Sequence, residues 1–326
     1  MLPPVSLPDR LHSGPGNPTT KGPTPLSDIR FDGKVALITG AGGGLGKTYA
    51  LQLASRGCKI VANDLGGKPD GTGASSSMAD QTVKEIVEAG GQAVANYDSV
   101  ATPEGGKAMV QTAIDHFGRI DIVINNAGIL RDKTFIKLEP QDLEAVLDVH
   151  LKGAFFVTQP AFAHMKEQGY GRIVFTASNA GLLGNFGQTN YGAAKMGLVG
   201  LSNVLSLEGA KYNIKCNVLA PVANTRLTKD LLGPMAELLD PEQVTPLVTY
   251  LVSDQCQETH SIWSVGGGRY ARMFVGLTPG WFAGKGVKPT PEQVRDHVEQ
   301  IRSTEGYIIP DSIADELKLL MGMLKG

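Results

Sequence analysis

Short, continuous apolar runs alternate along this chain with longer stretches whose apolar residues recur every three or four positions. The runs Val35–Thr39 (V-A-L-I-T), Lys59–Asn63, Gln92–Tyr97, Ile120–Ile124, Ile173–Thr176, Ile214–Leu219 and Ile262–Val265 have the length and composition of parallel strands buried on both faces. Between them the pattern predicts helices over Lys47–Ser55, Met78–Ala89, Pro103–Phe117, a long segment after Leu138 that Pro160 kinks or restarts, Tyr191–Lys211 and Pro241–Val252. Ser77-x-x-Asp80 predicts a capping box for the second of these. Strand and helix in strict alternation predict an α/β fold, a doubly wound parallel sheet of about seven strands with helices on both faces.

The ends depart from this pattern. Met1–Ser27 carries seven prolines among Gly and Thr, a composition that builds no packed core, and predicts an arm over residues 1–30. The α/β domain then occupies 31–268, and 269–326 form a C-terminal extension with amphipathic segments at Pro291–Ile301 and Ile313–Leu324. With 30 basic and 32 acidic residues there is no basic excess to attract nucleic acid or a membrane surface, which points to a small-molecule partner. The three cysteines, Cys58, Cys216 and Cys256, stand far apart with no Cys/His cluster, so reduced thiols and no metal are expected. No secretory leader and no apolar run of about 18 residues is present. The C-terminal Leu324-Lys325-Gly326 does not match a peroxisomal tripeptide, and a cytoplasmic protein is expected.

Chemistry concentrates at the C-terminal ends of the predicted strands. Gly40, Gly44 and Gly46, with Leu45 between them, follow the first strand, and Asp64 ends the second. Glycines admit the backbone of a turn to a pyrophosphate, which sits at a helix N-terminus where free N–H groups favour anions. A carboxylate at Asp64 accepts from both ribose hydroxyls and repels a 2′-phosphate, so the expected cofactor is NAD. Asp98, at the end of the third strand, is placed to accept from an adenine amino group or to cap a turn. The polar loop Gly66–Ser77 is expected to be mobile and to cover the adenine end. Asn126, Ala127 and Gly128 end the fourth strand with small and amide groups suited to close approach of a ligand. Tyr191 and Lys195 lie one helical turn apart, so an ammonium sits beside a phenol as a proton-transfer pair.

Four motifs together resemble the short-chain dehydrogenase/reductase family: T-G-A-G-G-G-L-G at Thr39–Gly46, N-N-A-G at Asn125–Gly128, Ser178 at 13 residues before Tyr191, and Y-x-x-x-K at Tyr191–Lys195. The resemblance implies a Rossmann fold and an NAD-dependent oxidoreductase acting on a secondary alcohol. It implies Ser178, Tyr191 and Lys195 as catalytic residues, and Thr225 as a cofactor contact after Pro221-Val222, where the family has a P-G turn. The strings A-N-D-L-G-G, A-V-A-N-Y-D-S-V, N-A-G-I-L-R-D and G-N-F-G-Q-T-N-Y resemble the family's (3R)-hydroxyacyl-CoA dehydrogenases of β-oxidation. The implied substrate is an acyl-CoA or a steroid-CoA. A hydroxysteroid dehydrogenase of 17β type and a non-catalytic NAD(H)-binding scaffold are the alternatives. His150 stands where most relatives have an asparagine whose backbone carbonyl relays protons. It is either a core residue or a catalytic one. Arg269, Arg272, Lys285 and Lys288 are candidate partners for CoA phosphates, and the small-residue helix Tyr191–Lys211 resembles the family's intersubunit helix, implying a homodimer or homotetramer.

Overall fold

The computed structural model describes residues 28–228 and 233–325; the Pro-rich segment 1–27 lies outside the described residues. Eight strands form one sheet: β1 (Val35–Thr39), β2 (Lys59–Asn63), β3 (Gln92–Asn96), β4 (Ile122–Asn125), β5 (Gly171–Thr176), β6 (Ile214–Pro221), β7 (Ser261–Gly266) and β8 (Arg269–Met273). Their order is β3-β2-β1-β4-β5-β6-β7-β8, and the first seven are parallel. The sequence pattern yields these seven; β8 was allotted to the C-terminal extension. It pairs antiparallel with β7 through a tight turn at Gly267 and Gly268, both with positive φ. Its sequence, R-Y-A-R-M, carries charge because an edge strand is half solvated, and so it lacks the apolar run of a central strand.

The strands of the centre are apolar throughout because helices cover both faces. On one face α1 (Gly44–Ser55) and the later helix α8 (Thr245–Leu251) pack over Ala36, Ile38, Ile60, Ile122 and Leu219. On the other, α3 (Pro103–Phe117), α5 (Gly153–Gln168) and α7 (Thr189–Gly209) pack over Val35, Leu37, Val61, Val123, Ile173 and Phe175. Alternate residues of one strand serve opposite cores, which fixes the register.

Local chemistry sets the helix ends. Thr102 caps α3 by accepting from Gly105 N–H at 3.1 Å, Pro103 fills the first turn, and Gly118 closes it at φ 76°. In α2 (Ser77–Glu88) the expected capping box is absent: Ser77 is the first helical residue and Asp80 accepts from the Tyr97 hydroxyl instead. Nor does Pro160 break α5, which runs through it. The irregularity lies upstream, where α4 (Pro140–Leu147) joins α5 through a π turn at Asp148–Lys152. Pro160 leaves the Phe156 carbonyl without its helical donor. That carbonyl abuts Gly106 of α3, where a Cβ would come within 2.2 Å of it.

Beyond β8 the chain returns on itself, with Leu277 and Ile308 paired across a bridge, Phe274 stacked on Tyr307 and Trp281 on His297. The helices Pro291–Asp296, Val298–Arg302 and Ile313–Lys325 (α9, α10 and α11) bury no residue. The two amphipathic segments are therefore helical, with their apolar stripes on the surface.

Gly106→Ala is expected to force α3 off α5 and lower the unfolding free energy by about 1–3 kcal/mol, an overpacking cost. The exposed neighbour change Lys107→Ala stays within about 0.5 kcal/mol. Urea unfolding midpoints of the two variants check the contrast.

Candidate active site

The strand order reverses between β1 and β4, so the loops leaving these strands part and open a crevice at the carboxyl edge of the sheet. A cleft of about 490 Å³ occupies it. Of the residues singled out in the sequence, Gly40, Gly44, Leu45, Asp64, Asp98, Asn126, Ala127, Gly128, His150, Ser178, Tyr191, Lys195 and Thr225 line this cleft. Gly46 lies beneath it, where a Cβ would sit 2.1 Å from the Gly40 carbonyl oxygen.

The glycine turn forms a cradle at the start of α1, part of whose N–H groups are already used inside the fold. Gly40 and Gly44 take positive φ (68° and 51°), and α1 begins at Gly44, earlier than the Lys47 start that the apolar pattern predicts. The start of this 12-residue helix has no side-chain cap, and its first residues, Gly44 and Leu45, line the cleft. Asp64 braces the turn: one carboxylate oxygen accepts from Gly42 N–H at 2.8 Å and the other from Gly66 N–H at 2.7 Å. Each oxygen keeps a lone pair for a ribose hydroxyl. Thr39, which sequence reasoning passed over, ties the two halves of the sheet; its hydroxyl accepts from Asn126 and Ala127 N–H, each at 3.0 Å. Asn126 in turn donates to the Thr39 and Gly40 carbonyls. Asp98 is held beside Asn96 at 2.7 Å with its backbone carbonyl on Asn63. Thr225 is fixed by Thr228, hydroxyl to hydroxyl at 3.0 Å.

The loop Gly66–Ser77 is anchored at its far end. It crosses the mouth of the crevice to the loop after β4, where Pro69 C=O accepts from Leu130 N–H and Asp70 C=O from Arg131 Nε, both at 2.9 Å. The reach depends on Gly66 and Gly71, both with positive φ; a Cβ on Gly66 would meet the Ser75 carbonyl at 1.8 Å. Sequence reasoning missed this strap because only tertiary contact defines its far end.

Opposite the cradle, β5 delivers Ser178 and α7 delivers Tyr191 and Lys195. Ser178 caps the short helix α6 (Asn179–Leu183), its hydroxyl accepting from Ala180 N–H at 3.1 Å and donating to Asn179 Oδ1 at 3.2 Å. Lys195 is buried, donates to the Thr176 carbonyl, and stands 5.5 Å from the centre of the Tyr191 ring. Burial, with no carboxylate to pair it, brings its ammonium down to about 7. Burial likewise pushes the Tyr191 phenol up to about 12; a hydrogen bond with Ser178 works against the rise, and the charge of Asp132 adds to it.

His150 sits in the π turn and packs edge-on against Tyr191, with ring centroids 5.1 Å apart. Its Nε2 bonds the backbone of Ile129, 2.8 Å from the carbonyl and 3.1 Å from the N–H. Gly128 makes room for the ring; a Cβ there would lie 2.5 Å from Cε1. Burial first, and Lys195 second, hold the imidazole well below its ordinary range, so it is neutral. It braces the loop after β4 against α7. Arg269, Arg272, Lys285 and Lys288 all lie outside the cleft, whose cationic walls are Lys68, Arg226 and Lys195.

This arrangement combines an anion cradle, a ribose acceptor and a phenol–ammonium–hydroxyl cluster, which is the equipment for moving a hydride and a proton between a dinucleotide and an alcohol. The comparisons agree. The short chain dehydrogenase family model matches residues 34–232. A short-chain type dehydrogenase/reductase of Mycobacterium tuberculosis is 56% identical over 241 residues, covering 74% of this chain and 84% of the relative. The mouse peroxisomal multifunctional enzyme type 2 is 49% identical over 291 residues, 89% of this chain, and the chain spans only 39% of that protein's length. The solved structure of full-length peroxisomal multifunctional enzyme type 2 from Drosophila melanogaster superposes with a TM-score of 0.76 at 37% identity, over 91% of this chain and 50% of that one. The cleft geometry, the family match and these relatives lead to one conclusion: the chain belongs to the short-chain dehydrogenases, NAD(P)(H)-dependent oxidoreductases built on a Rossmann-like fold.

Proposed function

We propose that this chain oxidises a (3R)-3-hydroxyacyl-CoA to the 3-ketoacyl-CoA with NAD, reversibly. The observation that carries the reading is the convergence of Ser178, Tyr191 and Lys195 on a cleft whose far wall is the glycine cradle closed by Asp64. The acyl-CoA substrate is supported by identity to the type 2 multifunctional enzymes and by the strings shared with that group.

NAD fits the site: the Gly40–Gly46 turn would hold its pyrophosphate, and Asp64 its adenosine ribose, through lone pairs left after Gly42 and Gly66 are served. When bound, it accepts the hydride from the alcohol carbon. Ser178 donates to the substrate oxygen and fixes it beside Tyr191. Tyr191 then takes the hydroxyl proton as charge develops on that oxygen. Lys195 sits next in line, and behind it a pocket of about 10 Å³ against the π turn, lined by His150, Asn125 and Lys195, has room for about one water that carries the proton on. The exposed apolar residues Met196, Val204 and Leu207 of α7 and Phe155 of α5 support a homodimer that buries these two helices.

Burying Lys195 carries a stability cost with a defined sign. The unfolded chain holds this proton up to about 10.5, the folded one only to about 7. Below about 7 both forms are charged and the full desolvation cost is present; between the two values the folded state sheds the proton and gains stability as pH rises.

Three expectations follow from this chemistry. Tyr191→Phe retains NADH binding by fluorescence titration and loses at least about 1000-fold in turnover on a panel of (3R)- and (3S)-hydroxyacyl-CoAs and a steroid alcohol; wild-type rates in that variant, or wild-type oxidation of the steroid alone, overturn the reading. Wild type prefers NAD to NADP by about 100-fold or more, the cost of setting a phosphate against a carboxylate, and Asp64→Ser narrows that ratio. Lys195→Met is inactive yet melts above wild type at pH 7, with the gap closing as pH is raised to about 9.5.

A further inference from the structure

The five residues Ile129–Lys133 join more parts of the site than any neighbouring loop. Ile129 is bound by His150, Leu130 and Arg131 hold the strap, and the Arg131 carbonyl accepts from Asn190 Nδ2 at 3.0 Å, one residue before Tyr191. Asp132 completes the set: its Oδ2 accepts from Gln188 Nε2 at 2.6 Å. Gln188 is 6% exposed, lines the cleft and opens α7, its backbone carbonyl accepting from Gly192 N–H at 2.7 Å. Lys133 and Gln188 also form a parallel bridge, so the loop after β4 is stitched to the first turn of the helix that carries Tyr191 and Lys195.

Asp132 is unusual in what it lacks. Its Oδ1 is buried with no hydrogen-bond partner, and no cation pairs with it among the described residues. Arg131, the nearest in sequence, is turned to Asp142 at 3.5 Å and to the strap. A half-buried carboxylate with one oxygen unserved costs stability, since a hydrogen-bonded or apolar group would fill the place without desolvating a charge. A neutral acceptor would hold Gln188 equally well. The geometry therefore gives the charge itself a use.

We propose that Asp132 is a positioning residue of this active site: through Gln188 it fixes the first turn of the catalytic helix, and its uncompensated carboxylate sets a negative charge against the Tyr191 phenol. His150 from the π turn and Lys195 from α7 itself pack against the Tyr191 ring, Ser178 from the end of β5 bears on its hydroxyl by a hydrogen bond, and Asp132 from the loop after β4 bears on it by charge, held through Gln188 three residues before Tyr191. His150 is neutral, and the hydrogen bond with Ser178 works in favour of the phenolate. Burial is the main cause that holds the phenol protonated, and Asp132 adds to it by charge; a further cation entering the cleft works against both. The cation that enters is the oxidised nicotinamide. Tyr191 is thereby made a base in the presence of oxidised cofactor and an acid, able to protonate a ketone, in the presence of reduced cofactor.

This inference rests on the oxidation of a hydroxyacyl-CoA proposed above, and the test separates the two. The pH dependence of kcat/KM for the alcohol is measured at saturating NAD for wild type, Asp132→Asn and Asp132→Ala, with thermal melts to confirm folding. Asp132→Asn keeps an acceptor for Gln188 and removes the charge. Its half-maximal pH is expected to fall by about one unit, with the plateau value within a few-fold of wild type. Asp132→Ala shows the same fall and loses about tenfold or more on the plateau, because Gln188 and the first turn of α7 are released. A profile for Asp132→Asn that superposes on wild type overturns the electrostatic part, and an undiminished plateau in folded Asp132→Ala overturns the tether. Absence of any oxidation by wild type across the alcohol panel instead defeats the substrate reading. In that event phenolate absorbance of the NAD-loaded protein, wild type minus Tyr191→Phe, is titrated with and without Asp132→Asn, and the same downward shift is required.

Discussion

The architecture depends on one close approach of backbone to backbone. The Gly40 carbonyl lies against Gly46 so tightly that no Cβ fits, and a Cβ on Gly40 would itself come 3.0 Å from Ala127 Cα on the neighbouring loop. Any side chain there would lever α1 away from the sheet and close the space for a dinucleotide. From this contact follow the early start of α1 at Gly44 and the bracing of the turn by Asp64. The Thr39 hydroxyl extends the constraint across the switch in strand order, so the two loops that part to form the crevice are also tied at its floor.

Against this rigid wall the opposite wall stores unfavourable burial. Lys195, Tyr191, His150 and Asp132 are each partly or wholly withdrawn from water, and burial is the leading cause of the displaced titration of all four. None forms an ion pair among the described residues. A fold selected for stability alone would pair or replace such groups, whereas the chemistry of an alcohol needs a phenol and an amine whose protons are loosely held. The ion pairs that do stabilise the core lie at the other edge of the sheet, where buried Asp121 is held by Arg119 at 2.6 Å and by Val35 N–H at 2.9 Å.

The loop Ile129–Lys133 stands between the two walls. It receives the strap from the β2 side, the imidazole from the π turn and the amides of Asn190 and Gln188 from α7. The two walls of the cleft therefore share one short segment, and two hydrogen bonds on Arg131 link the strap to Asn190, the residue before Tyr191.

Much of this was legible in the chain alone. The seven parallel strands followed from apolar runs, because a strand buried on both faces tolerates little else; the glycine turn, Asp64 and the Tyr191–Lys195 pair followed from spacings along the chain, and Ser178 from the family resemblance. What escaped was set by partners distant in sequence. The edge strand β8 has no apolar signature since one side is solvated, and the capping box gave way when Tyr97 claimed Asp80. The sequence by itself determined which groups could carry the chemistry. Only the tertiary structure decided their protonation, the strap's landing point, the bracing role of His150 and the unpaired charge of Asp132, because burial and partnership depend on which segments the sheet brings together.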